Sequence, residues 1–316
     1  MTLRVFVDGA VGTTGLEIVE RLAGRSEFSL LSLDEAQRKD ASARRDAFHA
    51  ADFAVLCLPD EAAREAVALA EGSSVRIIDA STAHRVDPAW TFGFPEVVGR
   101  DTIAAAARVA NPGCYSTGFI ALMAPLIRAG LLPAAFPYSC NAVSGYSGGG
   151  KALIARFEAD PDVAYRAYAL ALGHKHVPEM RALTGLVHPP LFTPAVIPAH
   201  RGMLVEVPLQ LSALKDFESG AAPAETLREE LARFYAASPL ITVANEVPAE
   251  GEILLRRAAA PWDGMTLHVL PNKDGTQARL LAHLDNLGKG ASGAAVQSLN
   301  LMAGLDETAS LRLQEG

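Results

Sequence analysis

Residues 3–22 read LRVFVDGAVGTTGLEIVERL. A short apolar run from Leu3 to Val7 predicts a buried strand, and Thr13 to Leu22 predicts a helix with Leu16, Val19 and Leu22 on one face. Between them lies Gly9-Ala10-Val11-Gly12-Thr13-Thr14-Gly15, with glycines spaced G-x-x-G-x-x-G. Glycines at a strand-to-helix crossing permit a tight turn and a close backbone approach, and they leave the helix amides facing an anion such as a pyrophosphate. Glycines also punctuate ordinary turns, so the strand-loop-helix setting carries the dinucleotide reading.

The same alternation continues outward. Phe28 to Leu33, Ala54 to Leu58 and Val75 to Ile78 read as further buried strands, and EAAREAVALA (61–70) reads as the helix between the last two. Such alternation implies a parallel sheet covered by helices, a Rossmann-type α/β dinucleotide-binding domain. Beyond Gly118 the texture changes to longer helices and hairpin-like strands, Met265 to Leu270 and Ala278 to Asp285 around a Lys273-Asp274-Gly275 turn, which predicts an α+β domain with a mixed or antiparallel sheet. The expected division is 1–113 for the dinucleotide domain, joined by a C-terminal helical segment 288–316, and 114–287 for a catalytic and dimerisation domain. Ala291 to Gly304 reads as an amphipathic helix within that returning segment.

Composition narrows the partners. The chain has 316 residues, half of them apolar, and a formal charge of -8, so a large core is expected and a nucleic acid or an anionic membrane is not. MTLRVFVDGA passes straight into the strand pattern, no run of eighteen apolar residues occurs, and the three cysteines lie far apart. The expectation is a cytoplasmic protein acting on a small molecule.

The cysteines separate by context. Cys57, in the strand AVLCLP, and Cys140, in PYSCNAV, read as packing residues. Cys114 sits in NPGCYSTG, residues 111–118, just before an apolar helix. Pro112 and Gly113 can deliver it to a helix start, where the dipole favours a thiolate. A thiolate beside a nicotinamide cofactor suggests attack on an acyl group, thioester formation and hydride transfer to the carbonyl; a cysteine that only packs at a domain junction is the alternative. Asp34 suits a ribose 2'-hydroxyl, whereas Arg38, Lys39, Arg44 and Arg45 suit a 2'-phosphate.

These segments, with DASTAHRVDPAWTFGFPE (79–96), VSGYSGGGK (143–151), GHKHVPEM (173–180) and LDNLGKGASGAAVQ (284–297), resemble the short form of N-acetyl-gamma-glutamyl-phosphate reductase almost end to end. The resemblance implies an aspartate-semialdehyde dehydrogenase-like fold and NADPH-dependent reduction of an acyl phosphate to N-acetylglutamate semialdehyde in arginine biosynthesis. It further implies a homo-oligomer, dimer or tetramer, and places the family's cysteine on Cys114 and its phosphate-binding glycines on Gly9, Gly12 and Gly15. Thr13, Thr14, Arg38, Lys39 and Asn286 are expected on the NADP cofactor, and Arg85, Ser144 and Gly145 on the substrate. Longer members carry a histidine after F-T-P, where this chain has Ala195.

His174 and His176, two residues apart, suggest a metal pair, but no third ligand is evident from spacing; acid-base work is the better reading. The bend around them suggests that the two rings point to different sides, with His174, six residues after Tyr168, favoured to face Cys114 and His176 left to orient Glu179 or substrate. His84 reads as structural. Gly145 to Lys151 fits G-x-x-x-x-G-K but continues with Ala152, so the hydroxyl that a P-loop offers Mg²⁺ is missing and a glycine turn near the active site is expected instead. Two further readings stay open: reduction of another amino-acid acyl phosphate of the aspartyl phosphate type, and a non-catalytic dinucleotide-binding protein.

Overall fold

The structure is a computed structural model that describes residues 2–213 and 223–313. The chain divides into two compact units, 1–113 with 291–311 and 114–290 with 312–316. The last three residues of the expected 288–316 segment lie outside the described residues.

In the first unit, β1 (Leu3–Asp8), α1 (Thr13–Leu22), β2 (Phe28–Leu31), α2 (Ala41–Ala50), β3 (Phe53–Leu56), α3 (Asp60–Leu69) and β4 (Arg76–Asp79) alternate without interruption. After them come β5 (Thr91–Phe92), α4 (Pro95–Val98), α5 (Arg100–Ala105) and β6 (Arg108–Ala110). The strands form one sheet in the order β2-β1-β3-β4-β6-β5, and every neighbouring pair is parallel. Both faces are covered, which explains why β3 is buried at all four positions. One face holds Val5, Val7, Ile18, Leu22 and Val55; the other holds Phe6, Phe48, Ala54, Leu56 and Ala66. The chain leaves β1 toward β2 on one side and later crosses to β3 on the other, so the carboxyl ends of β1 and β3 flank a switch point, where open α/β sheets bind ligands.

Two details depart from the sequence reading. Helix α1 buries Ile18 and Leu22, an i, i+4 pair, while Leu16 is 53% exposed; the glycine loop sets the rotation of its first turn. The returning helix α10 (Gly293–Met302) is buried on nearly all sides instead of being amphipathic. Its polar residues are enclosed, and two of them are bonded at long range: Gln297 donates to Glu96 (3.1 Å), and Asn300 accepts from Arg25 at 2.7 Å; Gln297 also donates to Glu307 (2.8 Å).

The second unit begins with α6 (Cys114–Arg128), followed by β7 (Ser139–Gly145), α7 (Gly150–Ala159), β8 (Arg166–Ala167), α8 (Val177–Thr184), β9 (Leu191–Ile197) and β10 (Met203–Gln210). Then α9 (Pro223–Tyr235), β11 (Ile241–Val243), β12 (Met265–Pro271) and β13 (Gln277–Leu284) complete it. Its sheet has the order β11-β12-β13-β10-β7-β9-β8, with antiparallel pairs at its centre and parallel pairs β7-β9 and β11-β12. β10 alternates, with Met203, Val205, Val207 and Leu209 buried, as a strand with one packed face must. Helix α6 lies against that face. A Cβ on Gly118 would fall 2.7 Å from Val205 Cγ2, so only glycine allows the helix this close to β10.

Candidate active site

Asp8 ends β1, and Gly9 turns the chain at φ +87°. A Cβ on Gly9 would lie 2.3 Å from the Cys57 carbonyl oxygen, and one on Gly15 would lie 2.4 Å from the Gly9 carbonyl oxygen. Neither position accepts a side chain without moving backbone. Gly12 donates to Gly9 at 2.9 Å and caps α1 with no side-chain hydrogen bond. Thr13, Thr14 and Gly15 thus form an uncapped first turn beside a bare backbone loop at the sheet's switch point, which fits the pyrophosphate of a dinucleotide. Gly15→Ala should weaken dinucleotide binding by about tenfold or more, ~1.4 kcal/mol, in a fluorescence titration, since the added methyl must displace Gly9 or Ala10; wild-type affinity would refute this role for the loop.

The charged segment after β2 is only partly available. Asp34 and Gln37 form a reciprocal box, Gln37 N–H to Asp34 Oδ1 at 2.8 Å and Asp34 N–H to Gln37 Oε1 at 3.1 Å. Arg38 donates from Nε to the Leu33 carbonyl at 3.1 Å, and both it and Lys39 are exposed. Arg44 corrects the sequence reading: α2 turns it inward, where it is buried against Asp8 (2.9 Å) and reaches Glu65 (3.1 Å). Burial raises the Asp8 carboxyl above its usual range despite that guanidinium.

The DASTAHR segment follows β4 as a braced loop. Asp79 is fully buried and accepts from Ser81 N–H (2.9 Å), Ser81 Oγ (2.7 Å) and pairs with His84 Nδ1 (2.6 Å), while the His84 ring stacks on Trp90 at 4.2 Å. Arg85 donates from Nε to the Asn111 carbonyl at 2.9 Å and from Nη2 to the Ala80 carbonyl at 3.3 Å. Its guanidinium is therefore fixed in orientation by backbone.

In the second unit, Cys114 is the first residue of α6 and is half-buried. The other two thiols are different. Burial, with Asp79 and Asp8 adding to it, pushes Cys57 up to about 12, and burial likewise raises Cys140. Cys57 lies just past β3 and is itself half-buried.

Behind Cys114, Tyr115 is buried and donates to the Ala195 carbonyl at 2.9 Å, with its ring on Phe192. His174 and His176 both pack on Tyr115, at 5.9 and 5.8 Å between centroids, and on one another at 4.7 Å. The two rings thus share one side instead of pointing apart. The reason is local: Leu172 adopts φ +62°, and Val177 N–H bonds back to the His174 carbonyl at 3.0 Å, so the chain folds over the pair instead of running extended.

The backbone N–H of His176 meets His174 Nδ1 at 3.2 Å, and His174 Nε2 meets the Tyr168 hydroxyl at 3.2 Å. An accepting Nδ1 assigns the neutral ring's proton to Nε2, which then donates to Tyr168. Tyr168 is pushed up to about 12, mainly by burial, with the negative field of a Cys114 thiolate adding; burial, Tyr168 and Cys114 raise Tyr115. Both phenols stay protonated near neutrality, close enough to Cys114 to feel its charge. Tyr115 is a member of the site that no motif singles out, and its place directly after the cysteine is the one signal of it in the sequence.

Ser144 and Gly145 end β7, buried, and Ser144 donates to the Gly145 carbonyl at 3.0 Å. A Cβ on Gly145 would strike the 199–201 backbone at 2.7–2.8 Å. The glycines after it form a short 3-10 turn, Tyr146–Gly149, that runs into α7. Asn286 is buried, with Nδ2 donating to Ser147 Oγ (2.9 Å) and Oδ1 accepting from Gly202 N–H (3.0 Å).

A parallel sheet with a glycine loop, and a mixed-sheet unit that opens on a cysteine beside a histidine pair, define a dinucleotide-dependent reductase of acyl groups. Residues 4–106 match the semialdehyde dehydrogenase NAD binding domain and residues 114–286 the semialdehyde dehydrogenase dimerisation domain. The chain belongs to the semialdehyde dehydrogenase family and, within it, groups with the N-acetyl-gamma-glutamyl-phosphate reductases. It is 50% identical over 316 residues to the enzyme of that name from Brucella ovis (96% of this chain, 100% of the relative). It is 45% identical over 322 residues to that from Trichormus variabilis (98% and 99%). Among solved structures, aspartate semialdehyde dehydrogenase II from Vibrio cholerae, complexed with ASA, aligns at TM-score 0.67 and 17% identity, covering 96% of this chain and 99% of that one. Aspartate semialdehyde dehydrogenase with NADP from Candida albicans aligns at TM-score 0.67 and 13% identity, covering 98% and 99%. These two likenesses bear on the fold alone.

Proposed function

We propose that this chain reduces N-acetyl-gamma-glutamyl phosphate to N-acetylglutamate 5-semialdehyde, releasing phosphate, through a thioester on Cys114. The observation that carries the reading is Cys114 at the start of α6 with the Tyr168–His174 pair in the same unit; relatives at 45–50% identity bear the reductase's name. The α6 dipole favours the Cys114 thiolate. Its sulfur attacks the acyl carbon, the bond from that carbon to the phosphate oxygen breaks, and phosphate leaves with the electron pair. When bound, the dinucleotide supplies the hydride that brings the thioester carbonyl to the aldehyde level. His174, as the imidazolium, gives a proton to the oxyanion formed at that carbon, and the neutral ring that results takes it back as the carbon–sulfur bond breaks. Cys114 is then a thiolate again.

Gly9, Gly12, Thr13, Thr14 and Gly15 are assigned to the dinucleotide, with Asn286 as a further contact. Arg85 is assigned to the substrate phosphate, because a guanidinium fixed by the Asn111 and Ala80 carbonyls suits that geometry. Ser144 and Gly145 are assigned to the rest of the substrate, and His176 to keeping His174 in register. The first unit, with its returning segment, is the cofactor domain, and the second is the catalytic and dimerisation domain. The dimerisation-domain match supports a homo-oligomer, a dimer or tetramer. Among the described residues no helix is long and apolar enough to cross a membrane; a biosynthetic reaction on a small molecule supports a cytoplasmic protein that acts without nucleic acid or membrane.

NADP is the proposed dinucleotide, through Arg38 and Lys39 in the exposed segment that follows β2. A charge-assisted contact favours NADPH over NADH by about 10- to 100-fold in kcat/KM, and Arg38→Ala with Lys39→Ala should remove most of that ratio. Equal use of NADH by the wild type would transfer the role to Asp34 on a ribose hydroxyl. Substrate trials decide the acyl group. Faster turnover of aspartyl phosphate would reassign the pocket, and cofactor binding without any turnover would leave a dinucleotide-binding protein.

A further inference from the structure

We propose that the buried Arg201–Asp285 ion pair positions the nucleophile, by holding the 285–290 turn against Cys114. This rests on the reading of Cys114 as the acyl-carrying thiol. Arg201 Nη1 meets Asp285 Oδ2 at 2.8 Å, with the two side chains 10% and 4% exposed. That carboxylate also organises the chain around it: Oδ2 accepts from Trp262 N–H at 3.2 Å and Oδ1 from Leu287 N–H at 2.9 Å. The Asp285 carbonyl accepts from Gly288 and Gly290 N–H, both at 3.1 Å. One residue therefore fixes both ends of the turn.

The turn has no slack where it meets the nucleophile. A Cβ on Gly290 would stand 2.9 Å from the Cys114 Cβ, closer than side chains approach one another, so the Gly290 backbone is the wall against which Cys114 rests. Gly288 is pinned on the other side, where a Cβ would fall 1.7 Å from the Trp262 carbonyl oxygen. Asn286, inside the turn, ties it to Ser147 and to Gly202. Gly202 follows Arg201, and the backbone on both sides of Arg201 is bonded to the chain at the end of β7: Tyr146 N–H to the Ala199 carbonyl at 2.9 Å and Gly145 N–H to the Gly202 carbonyl at 2.8 Å. Arg201 and Asp285 thus clamp three segments, 144–147, 199–202 and 285–290, of which the last touches Cys114.

A buried ion pair is a poor device for stability, because desolvation cancels most of its attraction and apolar replacement of both partners is often neutral or stabilising. Its value here is geometric: a guanidinium fork and a carboxylate with two further acceptor bonds fix the turn's register in a way that apolar contacts do not. A displacement of one ångström near reacting atoms can cost about 10²-fold in rate. That is the effect assigned to the pair.

The test compares the wild type with Arg201→Met, Asp285→Asn and the double variant Arg201→Met/Asp285→Leu, which removes both charges and avoids stranding one in the interior. Three quantities are read: thermal midpoint, kcat per folded molecule, and the rate at which iodoacetamide alkylates the Cys114 thiol, followed by mass spectrometry of its peptide across pH. The expected result is a kcat loss of about 10²-fold in the double variant with little change in midpoint, accompanied by an altered rate or pH profile of Cys114 alkylation. Wild-type kcat and alkylation in the folded double variant would overturn the proposal, as would single-variant losses that follow only the folded fraction. Turnover surviving in Cys114→Ser would instead sink the nucleophile reading, and the alkylation comparison, made on the thiol itself, would still decide the positioning.

Discussion

Cys114→Ser should lose turnover by about 10⁴-fold or more, as removal of a covalent nucleophile does, while binding NADPH like the wild type. An alcohol is a far weaker nucleophile than a thiol near pH 7, and the start of α6 can favour a thiolate but cannot ionise a serine. The glycine loop belongs to the other unit, so cofactor titration is expected to be unchanged. Activity within about tenfold of wild type, set against the losses typical of nucleophile removal, would reject the thioester mechanism. Cys57→Ala and Cys140→Ala serve as controls: burial holds both thiols protonated, so these changes should lower the thermal midpoint more than the rate.

His174→Asn has the second-largest expected effect. Loss of a general acid-base group costs about 10² to 10⁴ in rate, and the remaining activity should lose one limb of its pH profile. The orientation explains why His174 is preferred to its neighbour. Its Nδ1 is held by the His176 backbone N–H and its Nε2 by Tyr168, so the ring's tautomer is set by its surroundings. His176→Asn keeps that backbone donor and should cost less. If both variants keep wild-type kcat and pH dependence, the acid-base group lies elsewhere, and His200, half-buried beside Tyr146 at 5.6 Å, is the next to replace.

Short-range chemistry made much of this legible in the sequence. Gly9 and Gly15 are glycines because backbone oxygens stand 2.3 and 2.4 Å from where their side chains would begin, and such positions follow from a strand-loop-helix crossing without knowledge of the rest. Cys114 could be singled out in the same way, since the Pro-Gly step before it fixes a helix start. What the chain does at long range was not legible. Arg44 and Asp8 are 36 residues apart, and no local pattern says that this arginine, unlike its neighbour Arg45, turns inward. Gln297 and Asn300 look like the wet face of an amphipathic helix, yet their partners lie as far away as Glu96 and Arg25. The histidine pair failed for another reason: residues two apart point oppositely only on extended chain, and the positive φ at Leu172 begins a turn. Tyr115 and Tyr168 needed the fold to bring them together.

The most direct test of the central claim is the reverse reaction, because an acyl phosphate hydrolyses while the aldehyde can be supplied in stable form. Purified wild-type protein is given N-acetylglutamate 5-semialdehyde, NADP⁺ and inorganic phosphate, and NADPH is followed by absorbance. A thioester on Cys114 that phosphate must cleave predicts sustained NADPH formation dependent on both aldehyde and phosphate, abolished in Cys114→Ser. Formation that ignores phosphate, or that persists in the serine variant, would contradict it.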